Sequence, residues 1–266
     1  MTLTHVYDKI TATVHHREGA YMNEKIQRLK SIIESSQRIC VFTGAGISCP
    51  SGIPDFRSES GLYKTQNRFG YPPEQILSHT FFKNHTGLFF DFYRSSMVFP
   101  KAKPNKAHAY FAKLEANGKN VTVITQNIDS LHTKAGSKNV IELHGSVMRN
   151  YCESCKKAFS LEYILKTDGI PLCPCGGTVK PDVVLYEEPL DEKSIFGAVN
   201  AIERADALIV IGTSLSVYPA ASYIRYFEGK NLVLINKSET QYDSLASLCI
   251  YDDVVKVVEE LEKNDK

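Results

Sequence analysis

No run of about 18 apolar residues occurs in this sequence, which excludes a membrane-spanning helix. No charge of one sign dominates. The 31 Lys and Arg residues face 30 Asp and Glu, for a net charge of +1, so no global field favours nucleic acid or an anionic membrane. The first ten residues, Met1 to Ile10, lack the apolar centre of a secretory signal. Internal repeats and low-complexity tracts are also missing. These absences predict a cytoplasmic globular protein with neither nucleic acid nor membrane as partner. At 266 residues and 43% hydrophobic content, the chain can bury one large domain, alone or with a smaller module.

Seven cysteines are present. Cys152-x-x-Cys155 and Cys173-x-Cys175 form two close pairs, with Gly176 and Gly177 turning the chain after the second. In a reducing compartment such pairs point to a metal rather than to disulfides. The spacing matches a zinc ribbon, whose four thiolates close a tetrahedral, structural ion.

Short apolar runs recur at 39–43, 121–125, 140–143, 207–212 and 232–236, and read as strands. Helical patterns lie at 107–117, 194–204 and 218–227, and from Asn23 with Ile26, Leu29, Ile32 and Ile33 on one face. This alternation predicts an α/β fold: a mostly parallel sheet with helices on both faces. The charged tail 254–266 is expected as a surface helix. Residues 1–21 read as a poorly ordered extension, with Met22 an alternative start.

The strand at 39–43 breaks into Gly44-Ala45-Gly46, a turn that brings backbone N–H groups close to a pyrophosphate. Cys49 stands where the usual dinucleotide fingerprint has its third glycine, and no acidic residue ends a second strand about 20 residues on. The continuation Ser51-Gly-Ile-Pro-Asp-Phe-Arg57 is more specific. With Gln126-Asn127-Ile128-Asp129, Leu143-His144-Gly145, the cysteine module, Lys180-Pro-Asp-Val-Val184, Gly212-Thr-Ser-Leu215 and Asn236, it resembles the sirtuins, the NAD-dependent protein-lysine deacylases. The resemblance spans roughly residues 24 to 260 in order.

The resemblance implies a Rossmann-like NAD-binding domain at 22–57, 105–147 and 182–266. It implies a helical module with a cofactor loop at 58–104, a zinc module at 148–181, and an active site in the cleft between. His144 would deprotonate a ribose hydroxyl after nicotinamide has left; on local sequence alone a structural histidine is the better reading. Asn127 and Asp129 would shape the nicotinamide pocket, although either residue could simply cap a helix. NAD would further meet Gly44, Ala45, Gly46, Ser48, Cys49, Asp55, Phe56, Arg57, Gln126, Ile128, Gly212, Thr213, Ser214, Asn236, Asp253 and Val254. Acyl-lysine peptide would lie along Val183, Val184, Leu185, Tyr186, Leu215 and Val217.

Two departures from the family pattern stand out. Tyr186-Glu187-Glu188 replaces the Phe-Gly-Glu of many sirtuins, so a glycine is missing and a charge is added. The two acids suggest basic residues near the target lysine. Sirtuins that prefer succinyl or malonyl lysine carry Tyr-x-x-Arg, where this chain has Tyr93-Arg94-Ser95-Ser96. Acetyl or longer apolar acyl groups are therefore expected over succinyl. The expected enzyme is a monomeric NAD-dependent protein-lysine deacetylase that yields nicotinamide, O-acyl-ADP-ribose and free lysine. Mono-ADP-ribosyl transfer and a non-catalytic NAD-sensing or zinc-ribbon adaptor are the alternatives.

Overall fold

The structure is a computed structural model that describes residues 21–55 and 69–263. Its larger sheet has six parallel strands in the order β3-β2-β1-β7-β8-β9. These are β1 (Arg38–Thr43), β2 (Asn120–Thr125), β3 (Val140–Glu142), β7 (Ala207–Ile211), β8 (Asn231–Asn236) and β9 (Leu248–Tyr251). The central strands are continuous apolar runs because both faces are covered. β7 is buried at all five positions, and β1 at every position after Arg38.

Alternate side chains serve opposite layers. Ile39, Val41, Ile209 and Val233 pack under the helices at 21–35, Lys106–Ala116 and Val254–Lys263. Cys40, Phe42, Leu208 and Val210 face the helix Glu192–Glu203 and the 3-10 turns Ala220–Tyr226. The C-terminal helix is more than a surface tail. Val254, Val257, Val258 and Leu261 enter the core, and Lys106 Nζ holds Glu259 at 2.6 Å. The helix expected over 218–227 is a 3-10 segment.

A second sheet runs β5-β4-β6, antiparallel, from β4 (Gly145–Cys152), β5 (Ala158–Ser160) and β6 (Val179–Val183). It shares a core with the aromatic-rich stretch, where Phe82 and Phe89 meet edge-to-face at 4.9 Å. This core includes Cys152, Cys173, Val183 and Leu185. Strand order reverses between β1 and β7, the place where open parallel sheets bind ligands beyond their carboxyl ends.

Candidate active site

A cleft of ≈ 780 Å³ opens at that reversal, and the carboxyl ends of the parallel strands feed it. Gly44 and Gly46 leave β1, Gln126 to Asp129 leave β2, His144 follows β3, Gly212 to Ser214 leave β7, and Asn236 ends β8. Cys49, Asp55, Asp253 and Val254 complete the wall near the last strands. Phe56 and Arg57 lie outside the described residues.

The glycines serve the fold as well as a ligand. Gly46 N donates to Gly212 O at 2.8 Å, and Gly44 N donates to Ile211 O at 3.0 Å. A Cβ on Gly46 would stand 2.6 Å from the Gly212 Cα, and Gly212 holds φ +59°. The two turns therefore touch backbone to backbone and leave their remaining edges to the cleft. Gly46→Ala should part them, lowering stability by about 1–3 kcal/mol and weakening NAD binding. Thermal unfolding and an NAD titration of the variant check both effects.

Asn127 and Asp129 are tied back to the first turn. Asn127 Nδ2 donates to Gly44 O at 3.0 Å and Ser48 Oγ at 3.1 Å. Ser48 Oγ in turn donates to Asp129 Oδ2 at 2.7 Å, while Asp129 Oδ1 accepts from Leu131 N at 2.8 Å. The bond to Leu131 closes an Asx-type turn ahead of the short helix Leu131–Lys134, whose N-cap residue, Ser130, makes no side-chain cap bond, so neither Asn127 nor Asp129 is the cap. Burial pushes the Asp129 carboxyl up, opposed by these two hydrogen bonds.

His144 Nδ1 lies 2.9 Å from Gln126 O. A carbonyl only accepts, so Nδ1 carries the proton and the neutral ring keeps its lone pair on Nε2. Burial lowers its pKa, and the bond to Gln126 acts in the opposite sense. The next residue, Gly145, has φ +73°, and a Cβ there would fall 1.9 Å from Asp182 O. Only glycine lets the chain turn from the histidine straight into the second sheet.

At the far end, Asn236 Oδ1 accepts from Thr213 N at 3.0 Å, and Asn236 Nδ2 donates to Thr213 O at 3.0 Å. Gln126 Nε2 donates to Thr213 Oγ1 at 3.1 Å, linking the two halves of the cleft. Asp253 caps the last helix through Val255 N at 2.9 Å and meets Lys237 Nζ at 3.2 Å. His108 and His132, which sequence left without a role, are a buried pair with ring centroids 4.7 Å apart. Desolvation lowers their pKa values to about 4 and about 3. His132 Nε2 lies 3.2 Å from Thr43 Oγ1, directly beneath the glycine turn.

Val183, Val184, Leu185, Tyr186 and Val217 line the same cleft. Leu215 is fully buried, packs into the core and is absent from the cleft lining, unlike the other expected peptide contacts. The two acids have partners within the chain. Glu187 Oε2 accepts from Thr80 N at 2.8 Å, and Glu188 meets His79 Nδ1 at 2.8 Å and Lys180 Nζ at 3.0 Å. Sequence reasoning missed Thr80 and His79, because nothing local marks a partner about a hundred residues away. Ser96 and Met97 line the cleft, while Tyr93 is buried against Phe89 and Arg94 turns away to Ile164 O at 3.0 Å.

Cys152, Cys155, Cys173 and Cys175 place their sulfurs within 4.8 Å of one another. The separations of 3.5 Å for Cys152–Cys175 and 3.6 Å for Cys155–Cys173 fit a tetrahedral zinc, whose ligands lie about 3.8 Å apart. Left-handed Lys156 (φ 61°) and Gly176 (φ 86°) turn the chain just after each pair. Four sulfur donors leave no open position, so the centre is structural.

A doubly wound parallel sheet with a glycine turn at its reversal, joined to a four-cysteine module, defines a dinucleotide-using enzyme with a zinc ribbon. Residues 44–219 match the profile described as Sir2 family. An NAD-dependent protein deacetylase of Clostridium acetobutylicum is 61% identical over 89% of this chain and 97% of its own. One from Staphylococcus aureus is 46% identical over 90% of this chain and 99% of its own. A solved Sir2 structure with deacetylated p53 peptide and 3′-O-acetyl ADP-ribose superposes with a TM-score of 0.81 at 38% identity, covering 90% of this chain and 98% of that one. A Sir2 structure with p53 peptide and NAD+ gives 0.79 at the same identity and coverage. The chain belongs to the Sir2 family.

Proposed function

We propose that this chain is an NAD-dependent protein-lysine deacetylase that releases nicotinamide and O-acyl-ADP-ribose. The observation that carries the reading is His144, held as a neutral base in the same cleft as the glycine turns and Asn236. Similar proteins bear that name, and Sir2 structures have been solved with acetylated and propionylated peptides. Bound NAD would supply a ribose carbon whose bond to nicotinamide is replaced by one to the acyl oxygen, and a ribose hydroxyl that takes the acyl group as lysine leaves and one water is consumed.

This chain's residues do the rest. Gly44, Ala45, Gly46 and Gly212 to Ser214 let phosphate and ribose approach the backbone closely and meet them with the Thr213 and Ser214 hydroxyl groups, since the N–H groups of Gly44, Gly46, Gly212 and Thr213 are taken by Ile211 O, Gly212 O, Ile235 O and Asn236 Oδ1. Asn236 fixes the Thr213 backbone and meets the adenosine ribose, with Asp253 and Val254 beside the adenine. Ser48 orients Asn127 and Asp129 so that the Asp129 carboxylate meets the nicotinamide carboxamide. Ile128 lines that pocket, and Gln126 reaches the ribose. His144 Nε2 takes the hydroxyl proton. Val183 to Tyr186 and Val217 receive the peptide. The N–H groups of Val184, Leu185 and Tyr186 already donate to His144 O, Glu188 Oε2 and Leu77 O. A peptide along this segment therefore bonds there through its own N–H groups to carbonyls.

The reading includes the helical and zinc modules as a smaller domain beside the NAD-binding one. It places a monomer in the cytoplasm, where four thiols stay reduced to hold zinc. Nucleic acid and membrane are not partners, in keeping with the balanced charge.

The test is nicotinamide release from NAD with and without an acetyl-lysine peptide, following peptide mass. Peptide-dependent release with loss of one acetyl group is expected. Label passing from NAD to protein would instead favour ADP-ribosyl transfer. Because Ser96 reaches the cleft and Arg94 does not, a buried acyl carboxylate finds no cation on this turn. Acetyl or propionyl peptide is expected to exceed succinyl peptide in kcat/KM by about tenfold or more. A panel of acyl peptides at matched concentrations checks this.

A further inference from the structure

Glu187 carries a backbone conformation that side chains rarely adopt, with φ +75°. Many sirtuins have glycine there, so this chain accepts backbone strain that glycine would avoid. The carboxylate makes specific use of that position. Its Oε2 accepts from Thr80 N at 2.8 Å and from Thr80 Oγ1 at 2.6 Å, and these bonds pull its pKa down, which favours the charged form. Thr80 stands in the first turn of the helix His79–Asn84, where backbone N–H groups have no partner inside the helix.

The contact sits among other links between the same two segments. His79 N donates to Tyr186 O at 2.9 Å, and Tyr186 N donates to Leu77 O at 2.9 Å. Glu188 bridges His79 and Lys180. Two residues before Tyr186, Val184 N donates to His144 O at 3.0 Å. The segment 184–188 thus joins the backbone of the candidate base to the helical module, and its middle residues face the cleft.

We propose that Glu187 is a positioning residue: through Thr80 it fastens the peptide-receiving segment to the helical module, so that the groove is already shaped when acyl-lysine peptide arrives. The inference rests on the deacetylase reading above. A groove shaped before binding spares the peptide the cost of ordering it, and this appears in affinity for peptide rather than in the chemical step. The carboxylate acts as a hydrogen-bond acceptor toward Thr80, so glutamine can replace it, whereas a role in attracting basic peptides would be lost with the charge.

The test compares wild type with Glu187→Gly, Glu187→Gln and Thr80→Val. Glycine relieves the backbone and removes the fastening. It should raise the peptide's KM about five- to tenfold, with kcat and the KM for NAD changed less than twofold. Glutamine should restore most of the affinity, and Thr80→Val should show part of the loss. In parallel, amide exchange at Thr80 and Tyr186 should quicken in Glu187→Gly at an unchanged melting temperature. Unchanged peptide KM and unchanged exchange in Glu187→Gly would overturn the proposal, as would a glutamine variant no better than glycine. Absence of any peptide-dependent turnover in wild type would instead sink the deacetylase reading, and the exchange measurement would still decide the fastening.

Discussion

Replacing His144 with alanine should lower the rate of peptide deacetylation by about 10²–10⁴-fold, the usual contribution of a positioned general base. Nicotinamide exchange should survive in part, because in the proposed mechanism that step relies on Asn127, Asp129 and the peptide's own acyl oxygen. The geometry makes a second statement about pH. In the proposed mechanism the reactive form is the neutral ring, with its proton on Nδ1 toward Gln126 O. Burial lowers the pKa of this base, so at any given pH more of it is neutral than in solution. The acid limb of kcat/KM should therefore fall below the ordinary histidine value of about 6.5, and it should vanish from the residual activity of the variant. Steady-state rates from pH 5 to 8 test this. Loss of exchange and of NAD binding together with deacetylation would show that the ring holds the site in shape and is not its base.

Removing zinc should be the other large perturbation. A four-thiolate site contributes about 10–16 kcal/mol of apparent binding energy, much of it realised as folding. Cys152 and Cys173 are buried in the same core as Val179, Val183 and Leu185. β6 passes from that core directly into the peptide-receiving segment. Chelation, or Cys152→Ser, should abolish deacetylation and sharply lower the melting temperature. NAD should still bind, because Gly44, Gly212 and Asn236 stand at strand ends of the larger sheet. Metal analysis should find one zinc per chain before treatment. Calorimetric NAD titration of the metal-free protein separates loss of the groove from loss of the whole fold.

Five strands are legible in the sequence: β3, half-buried at each of its three positions, is read from Val140-Ile-Glu-Leu143, and the other four have patterns with one cause. β1, β2, β7 and β8 are buried on both faces, so their apolar runs carry the signal undiluted. β9 has four residues and an exposed end, too short to stand out. β6 reads Val-Lys-Pro-Asp-Val, its polar residues alternating outward, a pattern the sequence offers as a binding segment and not as a strand. Among the expected site residues, Gly44, Gln126, His144, Gly212 and Asn236 stand at or just after strand ends, and the fold delivers strand ends to one cleft. Leu215, with a left-handed φ of 52°, is buried in the core and lies outside the cleft lining, and no residue type reports that. The fates of Glu187 and Glu188 depend on Thr80 and His79, which only the fold brings near.

The place of β1 in the sheet also bears on the birth of the molecule. Arg38 N donates to Asp206 Oδ2 across 168 residues of chain, and β1 then pairs with β7 along its length. During synthesis the first strand emerges early, yet its second edge has no neighbour until more than three-quarters of the polypeptide has left the ribosome. Its partner β2 can cover only one side in the meantime. An apolar strand edge thus waits, open to wrong pairing, for the longest interval the topology permits. Truncation short of β7 leaves that edge bare, so nascent chains of that length are the ones for which a chaperone matters most.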